Sequence, residues 1–339
     1  MDYGKVTGFD KPVSRIVFGT DRLRGRGLTI PGSARRLPWL PNRGLEQQAF
    51  SLLDRSFELG CNSFDTARIY GDSERTLGAW IRERRNRDKV VVISKGCHPN
   101  LLGRGRPRLS ASDVSHDLHA SLKALGTDFI DLYLLHFDHP TVRVEPVVEQ
   151  LNRHIDEGKI SAIGASNWSH ERIASANAFA ASKGLKPFSA SSVQFSLADW
   201  TGSPWPGAVT LGGDGQRAAR EWYSTHGLPV FAYSSLARGF FSNHYDPKNP
   251  DGNRVSRWCA TYLGTEENIQ RLERTKTFAR EHHVTVAQVA LAYVLCHPLH
   301  AFAVVGCTTF EKFAENVAAL CLKLDEATLH WLATGQASR

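Results

Sequence analysis

The sequence predicts an α/β fold, a single closed (β/α)8 TIM barrel, and three observations predict it. Short apolar runs alternate with longer amphipathic stretches, the pattern of parallel strands joined by helical crossovers. The alternation occurs eight times across most of the 339 residues, one or more units beyond an ordinary open doubly wound sheet. Polar side chains stand at the C-terminal ends of six consecutive strands, where this fold collects its chemistry.

The elements follow in order. Tyr3–Val6 and Pro12–Ser14 flank a turn at Gly8 and are expected to form an N-terminal β-hairpin capping the bottom of the barrel. The apolar runs Arg15–Phe18, Ser63–Asp65, Val90–Lys95, Ile130–His136, Ala162–Ser166, Ser191–Gln194, Val230–Tyr233 and Ala301–Val305 are the eight strands. The amphipathic stretches 45–59, 73–85, 110–125, 145–157, 169–183, 214–226 and 266–296 lie between them, and 309–320 follows the last. Residues beyond Leu324 form an extra C-terminal helix. No linker, repeat or low-complexity tract interrupts the chain, so residues 1–339 are read as one domain.

Composition is that of an ordinary globular protein, with 42% hydrophobic and 22% charged residues, which excludes a disordered or collagen-like chain. No apolar run reaches the length of a membrane span, and the N-terminus lacks the apolar core of a signal peptide. The six cysteines form no C-x-x-C pair and are expected to be reduced and mostly buried, which makes the cytoplasm the expected compartment. The net charge is +7. Loops 21–44 and 97–109 together hold nine arginines and one aspartate, so they carry the whole excess. The expectation is a near-neutral barrel with a positive rim that steers an anionic cofactor into the mouth. A nucleic-acid arm is the competing reading of that charge, and no recognised nucleic-acid motif accompanies it.

The strand ends carry Asp65, Lys95, His136, Ser166 with Asn167, Gln194 and Tyr233, while Tyr70 lies five residues past Asp65. Asp65, Tyr70, Lys95 and His136 suggest proton transfer to a carbonyl oxygen. A free phenol titrates near ~10, too high for efficient acid–base work at neutral pH. A Lys95 ammonium would lower that value, and Asp65 would hold Lys95 by a charge-assisted hydrogen bond. His136 would orient the oxygen. The hydride has to come from a cofactor, because no side chain provides one.

At this point the chain resembles the aldo-keto reductase family. The resemblance runs nearly end to end and is most specific at Phe64-Asp65-Thr66-Ala67-x-x-Tyr70-Gly71-x-Ser73-Glu74. Supporting pieces are Ser94-Lys95-Gly96, the stretch Asp131–His136, Gly158-Lys159-Ile160, Ile163-Gly164-Ala165-Ser166-Asn167 and Ala232-Tyr233-Ser234. The resemblance implies a catalytic set of Asp65, Tyr70, Lys95 and His136, with Tyr70 as general acid in reduction. It implies that Ser166, Asn167 and Gln194 hydrogen-bond a nicotinamide carboxamide and that Tyr233 stacks on its ring. Ser234, Leu236, Arg238 and Gly239 would bind the pyrophosphate, and Gly19 and Thr20 would lie beside the cofactor. Thr308, Lys312, Glu315 and Asn316 would bind the 2′-phosphate and adenine. Many members carry Arg where this chain has Lys312; a lysine serves as a point charge but makes no bidentate fork. NADP is therefore favoured, with NAD as the alternative.

Selectivity is expected in the loops. Phe137, Trp168, Trp200 and Trp205 are the expected substrate-binding residues, aromatic walls that suit a sugar or a bulky ring. Gly103-Arg104-Gly105-Arg106 begins like a dinucleotide fingerprint, but Arg108 stands where its last glycine belongs. His116 and His119 lie one turn apart and are read as a solvated helix face, so no metal is expected. The resulting expectation is an NADPH-dependent carbonyl reductase acting on a small-molecule carbonyl or alcohol, without nucleic acid or membrane. The alternatives are a cofactor-binding regulatory subunit on the same fold and a Lys95 Schiff-base enzyme.

Overall fold

The computed structural model describes residues 1–23, 26–29, 36–41, 43–99, 101, 106–242 and 245–337. Its centre is a closed barrel of parallel strands. In chain order these are β3 (Ile16–Gly19), β6 (Ser63–Asp65), β7 (Val91–Gly96), β8 (Ile130–Leu135), β9 (Ile160–Ser166), β10 (Ala190–Ser192), β11 (Val230–Ala232) and β12 (Ala301–Val305). The barrel closes where β12 pairs with β3, with Ala303 opposite Ile16 and Val305 opposite Phe18. All residues of β7 and β8 are buried, as continuous apolar runs covered on both faces require.

The first two strands, β1 (Tyr3–Gly4) and β2 (Val13–Ser14), pair antiparallel as the expected hairpin. Val6 and Val13 join Val17, Ile93, Leu132, Phe231 and Phe302 in one apolar cluster, so the hairpin seals the lower barrel interior. A second hairpin, β4 (Arg26–Thr29) with β5 (Arg36–Pro41), lies in the loop after β3 and was not expected.

The helices are α1 (Arg43–Glu58), α2 (Ser73–Arg84), α3 (Ala111–Leu125), α4 (Glu145–Asp156), α5 (His170–Ser182) and α6 (Arg217–His226), followed by α7 (Arg254–Leu263), α8 (Glu266–Glu281), α9 (Val286–Cys296), α10 (Phe310–Ala318) and α11 (Glu326–Thr334). The expected helix 266–296 is two helices. Thr285 and Gln288 form a capping box that starts α9, and His283 adopts φ 55° in the break. Helix α7 is an addition to the expected set. With Phe240, Phe241, Tyr245 and Leu197 its buried face forms a second apolar cluster beside the mouth.

Gly78 shows how closely the outer layer packs. A Cβ there would collide with the Leu125 backbone carbonyl at the end of α3. Gly78→Ala is expected to lower stability by about 1–3 kcal/mol or more, seen as a lower urea midpoint. Gly158→Ala has open space and only its left-handed φ of 69° to contend with, so it should cost less.

Candidate active site

Asp65 ends β6, Lys95 is the fifth residue of β7, and His136 follows β8. Parallel register therefore brings their side chains to one end of the barrel. Both Asp65 carboxylate oxygens accept from Lys95 Nζ at 2.6 Å, and the Thr66 carbonyl accepts a third bond at 3.1 Å. The pair is buried, with 4% and 5% side-chain exposure. Tyr70 is half-buried, its ring 5.2 Å from Lys95 Nζ and 5.8 Å, edge to face, from the His136 ring. The four expected catalytic side chains are thus gathered in one place.

The loop carrying Tyr70 is braced by hydroxyls. Thr20 Oγ1 lies 3.2 Å from Ser73 Oγ and donates to the Asp65 carbonyl at 2.9 Å, while Thr66 Oγ1 meets Ser73 Oγ at 2.7 Å. Thr20, expected beside a cofactor, is fully buried and spends its hydroxyl on this brace. Gly19 ends β3 against Val304 and Val305.

The electrostatics differ from expectation in one respect. The Tyr70 phenol is pushed well above its ordinary value, first by burial and then by the Asp65 and Asp21 carboxylates. Lys95 does not pull it down, because Asp65 already holds the ammonium through both oxygens. Burial also raises the Asp65 carboxyl, against the opposing pull of Lys95. Burial, then Lys95 and His98, hold His136 well below the usual imidazole range, so its ring is neutral near pH 7. Its Nδ1 has no hydrogen-bond partner among the described residues.

Depressed histidines bear on stability. His98, His136, His154, His297 (pushed down to about 4) and His300 are all lowered, burial being the first cause in each. Below about pH 6.5 the unfolded chain binds protons that the folded one refuses. Stability from these groups is present above pH 6.5 and lost as pH falls toward their folded values. The melting temperature should therefore drop between pH 7.5 and 5.5; a flat or rising profile would contradict this.

Three residues outside the sequence expectation line the site. Asp21 acts on Asp65, Tyr70 and Arg238. His98 stands edge to face with His136 at 4.8 Å and with Phe137 at 5.0 Å. It lies three residues past Lys95, so following the strand-end logic into the loop would have found it. Thr210 is the third, and its hydroxyl donates to Gln194 Oε1.

Two of the three expected carboxamide-binding side chains, Asn167 and Gln194, are hydrogen-bonded within the protein. Asn167 is buried and adopts φ 58°. Its Nδ2 donates to the His136 carbonyl at 3.1 Å and to Ser166 Oγ at 3.2 Å. Its Oδ1 accepts from Val209 N at 3.1 Å and Tyr233 Oη at 2.6 Å. All four bonding positions of the amide are used. Gln194 is fully buried, and Ser166 is 1% exposed. Tyr233 is half-buried and faces the aromatic pair Trp205, at 6.2 Å, and Trp200, at 6.5 Å.

At the other end of the mouth Ser234, Ala237, Arg238 and Gly239 all have positive φ. Arg238, beside Leu236, lies over the rings of Trp258 and Trp205. Burial lowers its guanidinium, Arg22 and Arg254 lower it further, and Asp21 opposes them. Thr308 and Lys312 are exposed at the start of α10. Lys312 and Arg22 both act on Cys307, whose thiol burial pushes up to about 11. Glu315 is half-buried, its carbonyl accepting from Gln288. Asn316 is buried and donates to Cys307 Sγ at 3.2 Å. Like charges crowded around Arg238 are the surroundings an anion relieves, so the residues present fit the phosphates of a dinucleotide.

Two further expectations need correction. Trp168 is not a substrate wall. It is fully buried, packed edge-on against Phe188 at 5.4 Å. Arg108 is not part of a positive rim. Its guanidinium, 1% exposed, donates to both Asp117 oxygens at 2.6 and 2.8 Å, and Asp117 also accepts from Cys97 N. Arg106 pairs with Asp113 at 3.0 Å. Arg24, Arg35, Arg104 and the stretch 103–105 lie outside the described residues.

Comparison with known proteins agrees with this arrangement. Residues 15–332 match the model of the aldo/keto reductase family. The chain is 29% identical to an aryl-alcohol dehydrogenase of Pestalotiopsis microspora, over 91% of this chain and 78% of that one. It is 30% identical to a probable aldo-keto reductase of Glycine max, over 84% and 78%. A norsolorinic acid reductase of Aspergillus flavus is 29% identical over 82% and 69%. A crystal structure of a thermostable aldo-keto reductase with the inhibitor epalrestat shares the fold, with a TM-score of 0.71 and 21% identity over 98% and 99% of the two chains. A barrel with these polar strand ends and a family match along nearly its whole length leave one conclusion: the chain belongs to the aldo-keto reductase family and is an oxidoreductase of that type.

Proposed function

We propose that the protein is an NADPH-dependent reductase of aldehydes or ketones, reversible as an alcohol dehydrogenase, with Tyr70 as the general acid. The observation that carries the reading is the buried Asp65–Lys95 pair set beside a Tyr70 phenol and a neutral His136. When bound, a reduced nicotinamide would supply the hydride. The residues suited to hold the dinucleotide are Tyr233 and the Ser166 hydroxyl at the ring end, Ser234, Leu236, Arg238 and Gly239 at the pyrophosphate, and Thr308, Lys312 and Arg22 at the 2′-phosphate.

The side chains then divide the proton work. Tyr70, protonated at neutral pH, donates to the oxygen that gains negative charge; its raised value makes it a weak acid, so the proton moves only as that oxygen becomes strongly basic. His136, neutral, offers a hydrogen bond that orients the same oxygen without competing as an acid. Asp65 fixes Lys95, which presents positive charge under the developing alkoxide. Phe137, Trp200 and Trp205 supply apolar walls for a ring-bearing substrate, and the name of the aryl-alcohol relative favours an aryl carbonyl over a sugar.

Loss of NADPH absorbance with a panel of aryl aldehydes, ketones and sugars tests the reading; no oxidation with any carbonyl overturns it. The cationic groups add an ionic-strength signature. Cofactor association should slow as salt rises from about 50 to about 500 mM, because a Debye length shrinks across that range. An on-rate indifferent to salt would remove Arg22, Arg238 and Lys312 from the phosphate site.

A further inference from the structure

We propose that Thr210, in the segment between β10 and α6, is a positioning residue that fixes the Tyr233 ring on which the cofactor stacks. The inference rests on the cofactor reading above and adds to it a residue remote from the catalytic four.

Gly212 N–H can only donate, and it donates to Thr210 Oγ1 at 2.9 Å. The Thr210 proton is then free to go to Gln194 Oε1. At the other end the Ala198 carbonyl can only accept, and it accepts from Ser196 Oγ at 2.9 Å. Ser196 Oγ therefore accepts from Gln194 Nε2, at 2.8 Å. Two backbone groups of fixed polarity thus set which way the Gln194 amide faces.

The backbone repeats the connection. Gln194 N donates to the Val209 carbonyl at 2.9 Å, and Leu211 N donates to the Gln194 carbonyl at 2.8 Å. Gln194 makes isolated parallel bridges to Thr210 on one side and to Tyr233 on the other. Tyr233 Oη then donates to Asn167 Oδ1, which also accepts from Val209 N. The hydrogen bonds, the Val209–Thr210 peptide link and the Gln194–Tyr233 backbone bridge thus join Thr210, Gln194, Tyr233, Asn167 and Val209, and the Tyr233 ring is tied to this set at both its backbone and its hydroxyl. Asn167 has no bonding position left and acts on a ligand through the Tyr233 ring whose hydroxyl it holds, while the fully buried Gln194 acts through its backbone bridge to Tyr233. Thr210 carries the only side-chain hydroxyl in this set besides Tyr233 itself. Without it, a buried amide oxygen loses its partner.

The test compares binding of NADPH with binding of adenosine 2′,5′-bisphosphate, which has the adenine, the 2′-phosphate and one of the two pyrophosphate phosphates but no nicotinamide. Both are measured by titration calorimetry on the full chain. Thr210→Val should weaken NADPH about tenfold and leave the bisphosphate within about twofold. Thr210→Ser, which restores the hydroxyl, should return NADPH affinity. Should the valine variant fail to fold, Thr210→Ala serves the same comparison. Wild-type affinity for NADPH in the valine variant overturns the inference, and so does an equal loss for both ligands, which marks general damage. Wild-type protein that binds bisphosphate but not NADPH overturns the cofactor reading itself, and the inference with it.

Discussion

Tyr70→Phe should cut carbonyl reduction by about 10²–10⁴-fold, the usual worth of a positioned general acid, while NADPH affinity stays near wild type. The substitution removes one oxygen and keeps the ring. Its edge-to-face contact with His136 and its place under Lys95 therefore survive. The Thr20–Ser73–Thr66 brace, which shapes the loop, does not involve the phenol oxygen. The loss should fall on kcat, with little change in melting temperature. Turnover kept within tenfold would mean that another group delivers the proton, and His98 and His136 would be next to examine.

Lys95→Met should be the most damaging single change to stability among the four, about 3–5 kcal/mol. It leaves the Asp65 carboxylate buried without its partner and removes the donor to the Thr66 carbonyl. The penalty should depend on pH, with a defined sign. An unpaired, buried Asp65 takes up a proton that the unfolded chain has already released above its ordinary value of ~3.9. The destabilisation therefore grows from pH 5 toward pH 8. Asp65→Asn combined with Lys95→Met removes the buried charge and should recover most of the stability without recovering turnover. Urea unfolding of the single and double variants at two pH values measures all of this. A double variant as unstable as the single one would show that the pair matters for packing rather than for charge.

The barrel was legible because its signal is periodic. Eight apolar runs carry the alternation, and residues at strand ends inherit their position from it, so Asp65, Lys95 and His136 could be placed together before any coordinates. Elements inside loops carry no such signal. The β4–β5 hairpin and α7 interrupt loops that could only be read as loops. The split between α8 and α9 was written locally as Thr285-x-x-Gln288, but the long amphipathic stretch masked it. Side-chain partnerships were illegible for a different reason. Counting charge placed Arg108 on a rim, whereas geometry buries it against Asp117, nine residues on in α3. Residue type likewise made Asn167 and Gln194 hydrogen-bonding candidates, and nothing in the sequence said that the segment around Val209–Leu211 would take up those bonds.

The pairing of β12 with β3 has a kinetic consequence. Ile16 meets Ala303 across nearly the whole chain, and Arg15 Nε reaches the Ala301 carbonyl across the same seam at 2.7 Å. Closing so long a loop costs chain entropy before any contact rewards it. Ribosomal synthesis delivers the N-terminal side of the seam first. During translation β3 can pair with β6 as soon as both have emerged, yet its other edge must wait for the last strand. The nascent barrel is therefore an open sheet with a bare, apolar margin at Ile16–Phe18 for most of its synthesis. Slow ring closure, and aggregation through that margin, are the hazards this topology carries into the cell.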